Sequence, residues 1–191
     1  FLQSHGVGSA QSARIYRQYG ANAINTIREN PYRLCEEIWG IGFKTADRVA
    51  QSVGVPSESE IRARAGIVYV LQTMTDEGHC YCPRDELVPA AEKLLDIPAA
   101  TIRGALDYEL SQKTIVEENH HIYLAALYLA ETEIAAQTRR LLQTAPRFPP
   151  IQADKAVDWA QARMRIQFAA AQSAALKMAL TGKVTIITGG P

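Results

Sequence analysis

Leu34-Cys35-Glu36-Glu37-Ile38-Trp39-Gly40-Ile41-Gly42-Phe43-Lys44-Thr45-Ala46-Asp47-Arg48-Val49-Ala50 decides how the start of this chain folds. An apolar helix runs into a Gly-x-Gly turn, and a second helix begins at once. Glycine accepts the positive φ that a tight helix-to-helix turn needs, and it lets another molecule approach the main chain closely. The first amides of the following helix have no acceptor within that helix. They point outward at its positive end, which makes an anion seat. A fainter copy lies upstream, where His5-Gly6-Val7-Gly8-Ser9-Ala10 leads into a helix expected over Gln11–Tyr19. The two turns stand 34 residues apart, Gly6 to Gly40. One such turn fits an ordinary αα-hairpin without a ligand. Two of them, each followed by a helix start, point to a duplicated device for holding phosphate.

The residues expected at a DNA phosphate are Gly6, Val7, Gly8 and Ser9 in the first copy, and Gly40, Ile41, Gly42, Lys44 and Thr45 in the second. Lys44 adds a charge, and the Thr45 hydroxyl is placed to cap the helix or touch phosphate. In the first copy Ser9 takes the corresponding place and no lysine follows it, so the second hairpin is expected to be the stronger holder. Ile41, Phe43, Val49 and Trp39 read as packing residues that fix the two helices against each other. Contacts made through main-chain N–H groups carry no base sequence.

These paired turns resemble the tandem helix-hairpin-helix modules of DNA repair and helicase proteins. The phrase Asn30-Pro31-Tyr32-Arg33-Leu34, just ahead of the second copy, narrows the likeness. It resembles the N-terminal region of the bacterial RecD-like DNA helicases (exodeoxyribonuclease V alpha-type), and the likeness continues along essentially all of the chain. The resemblance implies a cytoplasmic ATP-dependent helicase of DNA repair and recombination that moves 5′ to 3′ along single-stranded DNA. The hairpins would hold the backbone of single-stranded or forked DNA near the strand junction, without sequence specificity.

The chain has 191 residues, of which 47% are hydrophobic, enough for one ample domain or two to three small ones. No apolar run approaches the ~18 residues of a membrane span. The N-terminus, Phe1-Leu2-Gln3-Ser4-His5-Gly6, has neither a basic region nor a long apolar stretch, so it does not read as a signal peptide. It lacks methionine and starts partway into the first hairpin, which is the expectation for a fragment. Cys35, Cys80 and Cys82 cannot all pair and suit a reducing compartment. His79-Cys80-Tyr81-Cys82 holds metal-capable side chains but lacks the spaced ligand pairs of a zinc site, so a short strand is expected there and no metal.

Net charge is zero overall but uneven. Residues 1–56 carry six Lys and Arg against four Asp and Glu; residues 57–125 carry six against twelve; residues 126–191 carry eight against four. An acidic middle section is a poor partner for phosphate. DNA contact is therefore expected mainly on the first section and secondarily on the third, and a protein partner is the expectation for the acidic one.

The fold expected is mainly α. Residues 1–56 form the tandem hairpin module. Residues 57–125 form a winged-helix-like α+β domain. Residues 126–191 hold linker helices and the truncated start of a P-loop ATPase domain. Ser57-x-x-Glu60 reads as a capping box, and Ile61, Ala65, Val68, Leu71 and Met74 recur behind it at helical spacing up to Gly78. A strand is expected at His79–Cys82. Helices follow at Pro83–Leu95, with Pro89 a weak point, and at Ala99–Gln112. Thr114–Glu118 and His121–Leu124 read as a β-hairpin joined near Asn119-His120. That order is the order of a winged helix. Its third helix carries Asp107 and Glu109, so a structural or protein-contacting role is favoured over DNA reading. A long helix is expected over 126–143, then a stiff linker, Ala145-Pro146-Arg147-Phe148-Pro149-Pro150. A further helix is expected over Ala153–Arg163, with Trp159 on an apolar face.

At the C-terminus a helix is expected over Ala170–Leu180. Lys183-Val184-Thr185-Ile186-Ile187-Thr188 reads as a buried parallel strand ending in Gly189-Gly190-Pro191. The resemblance implies that this is the opening of a Gly-Gly-Pro-Gly-x-Gly-Lys-Thr phosphate loop. It also implies that Gln172 is the glutamine that reads adenine, although Ala169-Ala170-Ala171 stands where relatives place a small polar cap. Gln172, Gly189, Gly190 and Pro191 are thus an incomplete ATP site. ATP and Mg belong to the whole helicase and no cofactor to these 191 residues, which lack the phosphate-loop lysine and for which no catalytic residue and no ATP hydrolysis are expected. Two other classes compete. A hairpin-containing glycosylase would need a lysine and an aspartate, or an aspartate alone, at a base-sized pocket; Lys44 sits on the turn, and no aspartate follows it at a plausible distance in a matching motif. A non-catalytic protein-interaction module of a DNA repair protein is the main alternative.

Overall fold

The computed structural model describes residues 2–144 and 148–189. Phe1, Ala145, Pro146 and Arg147 of the expected linker, and Gly190 and Pro191 of the expected phosphate loop, lie outside them. The chain divides into two compact units, one up to Tyr128 and one from Leu129.

The first unit opens with a single 3₁₀ turn, Gln3–His5, and then α1 (Ser9–Tyr19). A second such turn, Gly20–Asn22, leads into α2 (Ala23–Glu29), α3 (Arg33–Glu37) and α4 (Phe43–Ser52). α3 starts only at Arg33, since the Asn30 side-chain oxygen accepts from the Tyr32 amide at 3.0 Å and closes a local turn ahead of it.

α5 (Glu60–Asp76) is the central helix. It packs against α4, α6 (Arg84–Leu95) and α7 (Ala99–Ser111). Ala63, Ile67, Val70 and Leu71 supply its buried side. Its start differs from the expected capping box. Ser59, not Ser57, stands at the N-cap, and no side chain caps the helix. The Ser57 carbonyl is taken by the Arg62 guanidinium at 2.9 Å, which draws Ser57 out of the capping position.

The small sheet forms as the turn chemistry requires. β2 (Ile115–Glu118) and β3 (His121–Leu124) pair antiparallel with Glu118 opposite His121. Asn119 and His120 between them both have positive φ, 51° and 63°, the signature of a two-residue primed turn. β1 (Cys82–Pro83) pairs with the other edge of β3, giving the order β1-β3-β2. One apolar cluster runs from Val7 and Ile15 through Leu34 and Val49 to Ile67, Leu106 and Ile122. The core is therefore continuous across residue 56.

α8 (Ala125–Leu142) leads from the first unit into the second, where α9 (Ala153–Met164) and α10 (Ala170–Thr181) pack on each other. Val157 is buried there, but Trp159 is 69% exposed, contrary to an apolar setting for it. Residues 183–189 form no strand, and Ile186 and Ile187 are 83% and 63% exposed. A strand exists only by pairing, and no described residue offers this segment a ladder partner. No described helix is long and apolar enough to cross a membrane.

Candidate nucleic-acid interface

The two Gly-x-Gly turns adopt the same conformation. Gly6 and Gly40 have φ of 81° and 82°, the left-handed region. Val7 and Ile41 turn their side chains into the core, at 2% and 3% exposure. Gly8 and Gly42 are extended and stand as N-caps of α1 and α4, neither of which is capped by a side chain. Thr45 therefore does not cap α4. Gly6, Gly8, Ser9, Gly40, Gly42 and Lys44 are exposed, and Thr45 is half-buried.

The amides follow the same pattern. In α4, Thr45 and Ala46 both donate to the Gly42 carbonyl, at 3.0 and 3.2 Å. Among the described residues, the amides of Gly42, Phe43 and Lys44 have no acceptor. In α1, Ser12 donates to the Gly8 carbonyl at 2.8 Å, and the amides of Ser9, Ala10 and Gln11 are open in the same sense. The Gly8 amide is occupied by the Gln11 side-chain oxygen at 3.4 Å. The 34-residue register also corrects one correspondence. Ser9 lies opposite Phe43, and Ala10 and Gln11 fill the places of Lys44 and Thr45. Phe43 packs between the Tyr32 and Tyr69 rings, with centroids 5.9 and 4.9 Å away, so Ser9 has no polar counterpart.

The four glycines divide into two kinds. A Cβ on Gly40 would lie 2.5 Å from Arg14 Nη1, and one on Gly6 would lie 3.1 Å from Arg48 Cδ. These positions need glycine for their left-handed conformation, and a side chain there would also have to displace an arginine. At Gly42 a Cβ would meet nothing within 4 Å, and at Gly8 only the Gln11 side-chain oxygen at 3.9 Å. Any residue adopts the backbone of Gly8 (φ −64°) and Gly42 (φ −89°). Their missing side chains leave clear space in front of the helix starts.

Arg14 and Arg48 were not legible as site residues, yet they occupy equivalent positions of the two copies, 34 residues apart. Each lies against the turn glycine of the other copy. Arg14 Nη1 donates to the Trp39 carbonyl at 2.7 Å, and the Gln11 side-chain amide donates to the Gly40 carbonyl at 3.2 Å. Two guanidinium groups thus lie against the glycine turns, and Lys44 stands in the first turn of α4. Trp39 is not a packing residue: it is 89% exposed, because its neighbours Ile38 and Ile41 take the inward positions of the turn.

The hairpin pair is braced from behind. Tyr32 OH donates to Asp47 Oδ1 at 2.6 Å. Arg62 grips both oxygens of Asp47, from Nε at 2.9 Å and Nη2 at 3.1 Å. Burial, and then the hydrogen bond to Asp47, push the Tyr32 hydroxyl far above its ordinary pKa. In the second unit, the Gln172 side-chain oxygen accepts from the Ala169 amide at 3.0 Å, so this carboxamide is engaged with the start of its own helix. Gly189 is exposed and belongs to no strand.

Paired helix-turn-helix units with this glycine geometry define the helix-hairpin-helix class. Residues 1–81 match the family described as the ATP-dependent RecD2 DNA helicase HHH domain, and this N-terminal region is homologous to it. The full chain is also similar to the ATP-dependent RecD2 DNA helicase of Deinococcus radiodurans, 29% identical over 205 aligned residues that cover 100% of this chain. The chain spans 28% of that relative's length.

Proposed function

We propose that this chain is the DNA-contacting N-terminal region of an ATP-dependent 5′-to-3′ DNA helicase of the RecD-like kind, working on single-stranded or forked DNA in the cytoplasm. Gly6 to Ser9 seat one backbone phosphate, and Gly40 to Gly42 with Lys44 and Thr45 seat a second. The observation that carries this reading is the open pair of glycine N-caps. Gly8 and Gly42 need no glycine for their own conformation, yet their bare Cα atoms keep a path open to amides that lack acceptors. Main-chain donors at a helix start bind phosphate and ignore the bases.

In this reading residues 1–56 are the hairpin module, 57–125 a winged-helix-like domain and 126–191 linker helices with the opening of a P-loop domain. The winged-helix-like section is assigned to a protein contact. On its third helix Asp107 is held by Arg84 at 3.2 Å and Glu109 by Arg64 at 2.6 Å. Those pairings spend two of the section's six cations on its own acids, which suits it poorly to phosphate. ATP and Mg would serve the whole helicase. Gln172 and the glycine-rich turn would serve that ATP site, and in this structure the Gln172 carboxamide oxygen is engaged with the Ala169 amide.

Gly42→Val tests the assignment. The substitution meets open space and an ordinary φ, so the fold should persist by circular dichroism. Its side chain would stand before the amides of residues 42–44. Affinity for forked DNA at low salt should fall at least about tenfold, the loss of one charge-assisted contact. Unchanged affinity in a folded variant would sink the phosphate seat. Retained binding to a protein partner with no DNA binding at all would favour the interaction-module alternative.

A further inference from the structure

Trp39 is an anomaly in an otherwise well-packed segment. Its flanking apolar residues Ile38 and Ile41 are buried at 6% and 3% exposure, while the indole is 89% exposed. An exposed indole gives up the burial that large aromatic side chains normally supply. Yet its main chain is held firmly, since Arg14 Nη1 donates to the Trp39 carbonyl at 2.7 Å. The Arg14 guanidinium lies 5.9 Å from the ring centroid, at the outer limit of a cation–π contact. The indole helps line a shallow recess together with Arg14, Arg17 and Glu37, the last of which is paired with Arg33 at 2.6 Å. The ring is therefore an apolar plate carried on an anchored main chain, open to solvent and near two guanidinium groups. It stands three residues before Gly42, no more than about 11 Å of chain from the open amides.

We infer that Trp39 is a stacking platform for an unpaired nucleobase of the strand whose phosphate the second hairpin holds. The inference deepens the proposed function and rests on it. Every nucleobase presents a π face, so an indole binds it without regard to sequence. Arg14 and Arg17 would neutralise the phosphates on either side of the stacked base. Inside a duplex each base face is covered by the next base pair, so the platform is of use only where a strand is unpaired. Trp39 would therefore distinguish a fork or overhang from blunt duplex, which main-chain amides alone do not.

The test uses the 191-residue chain carrying Trp159→Phe, which leaves Trp39 as the single tryptophan. A blunt duplex, the same duplex with a single-stranded overhang, and that overhang with an abasic nucleotide at the first unpaired position are titrated in turn. Indole emission should be quenched by the overhang substrate and little changed by the blunt duplex or the abasic one. Adding Trp39→Ala should weaken overhang binding by about 5- to 150-fold, the range for loss of one stacked base. It should leave blunt-duplex binding unchanged, and Trp39→Phe should recover most of the loss. If Trp39→Ala binds all three DNAs as its parent does, or the emission ignores the overhang while DNA is bound, the platform is refuted. The Gly42→Val result separates the two readings. Loss of binding to every DNA in Gly42→Val alongside an inert Trp39 keeps the phosphate seat and discards the platform. No DNA binding by the parent discards both.

Discussion

Gly40 and Gly42 sit two residues apart and fail in opposite ways when given a side chain. Gly40→Ala must hold a left-handed φ of 82° and push Arg14 Nη1 away from 2.5 Å. The first effect alone costs about 1–2 kcal/mol, so urea unfolding should show at least that loss. Gly42→Ala meets neither obstacle and loses only the N-cap preference for glycine over alanine, so it should cost less than about 1 kcal/mol. Two identical letters in one motif thus serve different ends, and only the backbone angles separate them. The same limit explains Trp39. A large apolar residue in an apolar run reads as core, and only the turn geometry, which spends its inward positions on Ile38 and Ile41, shows it facing water. Arg14 and Arg48 were hidden for a different reason. Their partners are turns in the other copy, and only the 34-residue offset, carried past the glycines, would have paired them. The thiols give a residue-scale prediction with a definite sign. Burial pushes Cys35 and Cys82 each from 9.0 to about 11. The folded chain therefore keeps two protons that the unfolded chain releases, and stability should fall as pH rises from about 9 through 11. Urea midpoints measured at pH 8, 9 and 10 should decline, and the decline should flatten in Cys35→Ala/Cys82→Ala.

At the scale of elements, the junction between α4 and α5 is held by a buried charge pair. Arg62 is 7% exposed. Besides Asp47 it donates to the carbonyls of Ser57 at 2.9 Å and Leu95 at 2.7 Å, so one guanidinium ties α4, the α4–α5 loop and the end of α6 together. Removing one partner strands the other charge in the interior. Arg62→Ala should lower stability by about 3–5 kcal/mol, and replacing both partners together, as in Arg62→Met/Asp47→Leu, should recover much of it. Chemical denaturation of the two variants decides this. The helices themselves were legible because their apolar spacing is set by their own residues: Ala99–Ser111 and His121–Leu124 fall where periodicity and turn residues put them. Failures came where a distant group competes. Ser57 lost the capping role because Arg62 claims its carbonyl, and residues 183–188 lost their strand because a ladder needs a neighbour that no described residue supplies. The glycine turns were readable to the residue, since the φ they require excludes most other side chains.

For the molecule as a whole, charge and architecture point the same way. Arg14 and Arg48 lie against the glycine turns and Lys44 follows one of them, all in the first 56 residues, while the acidic middle section spends Arg64 and Arg84 on its own carboxylates. If each hairpin holds one phosphate, the logarithm of DNA affinity should fall against the logarithm of salt with a slope of about −2. Anisotropy titrations between 50 and 200 mM salt would measure it. A slope near zero would contradict a backbone-holding role. The crossing of Arg14 and Arg48 has its own result. Each repeat completes its sibling, so residues 1–56 amount to a self-complementary dimer written on one thread. For two separate chains that embrace would loosen on dilution. Here the intervening segment keeps the halves at an effective concentration on the order of millimolar, and the spacing between the two glycine-led helix starts is the same however scarce the protein becomes.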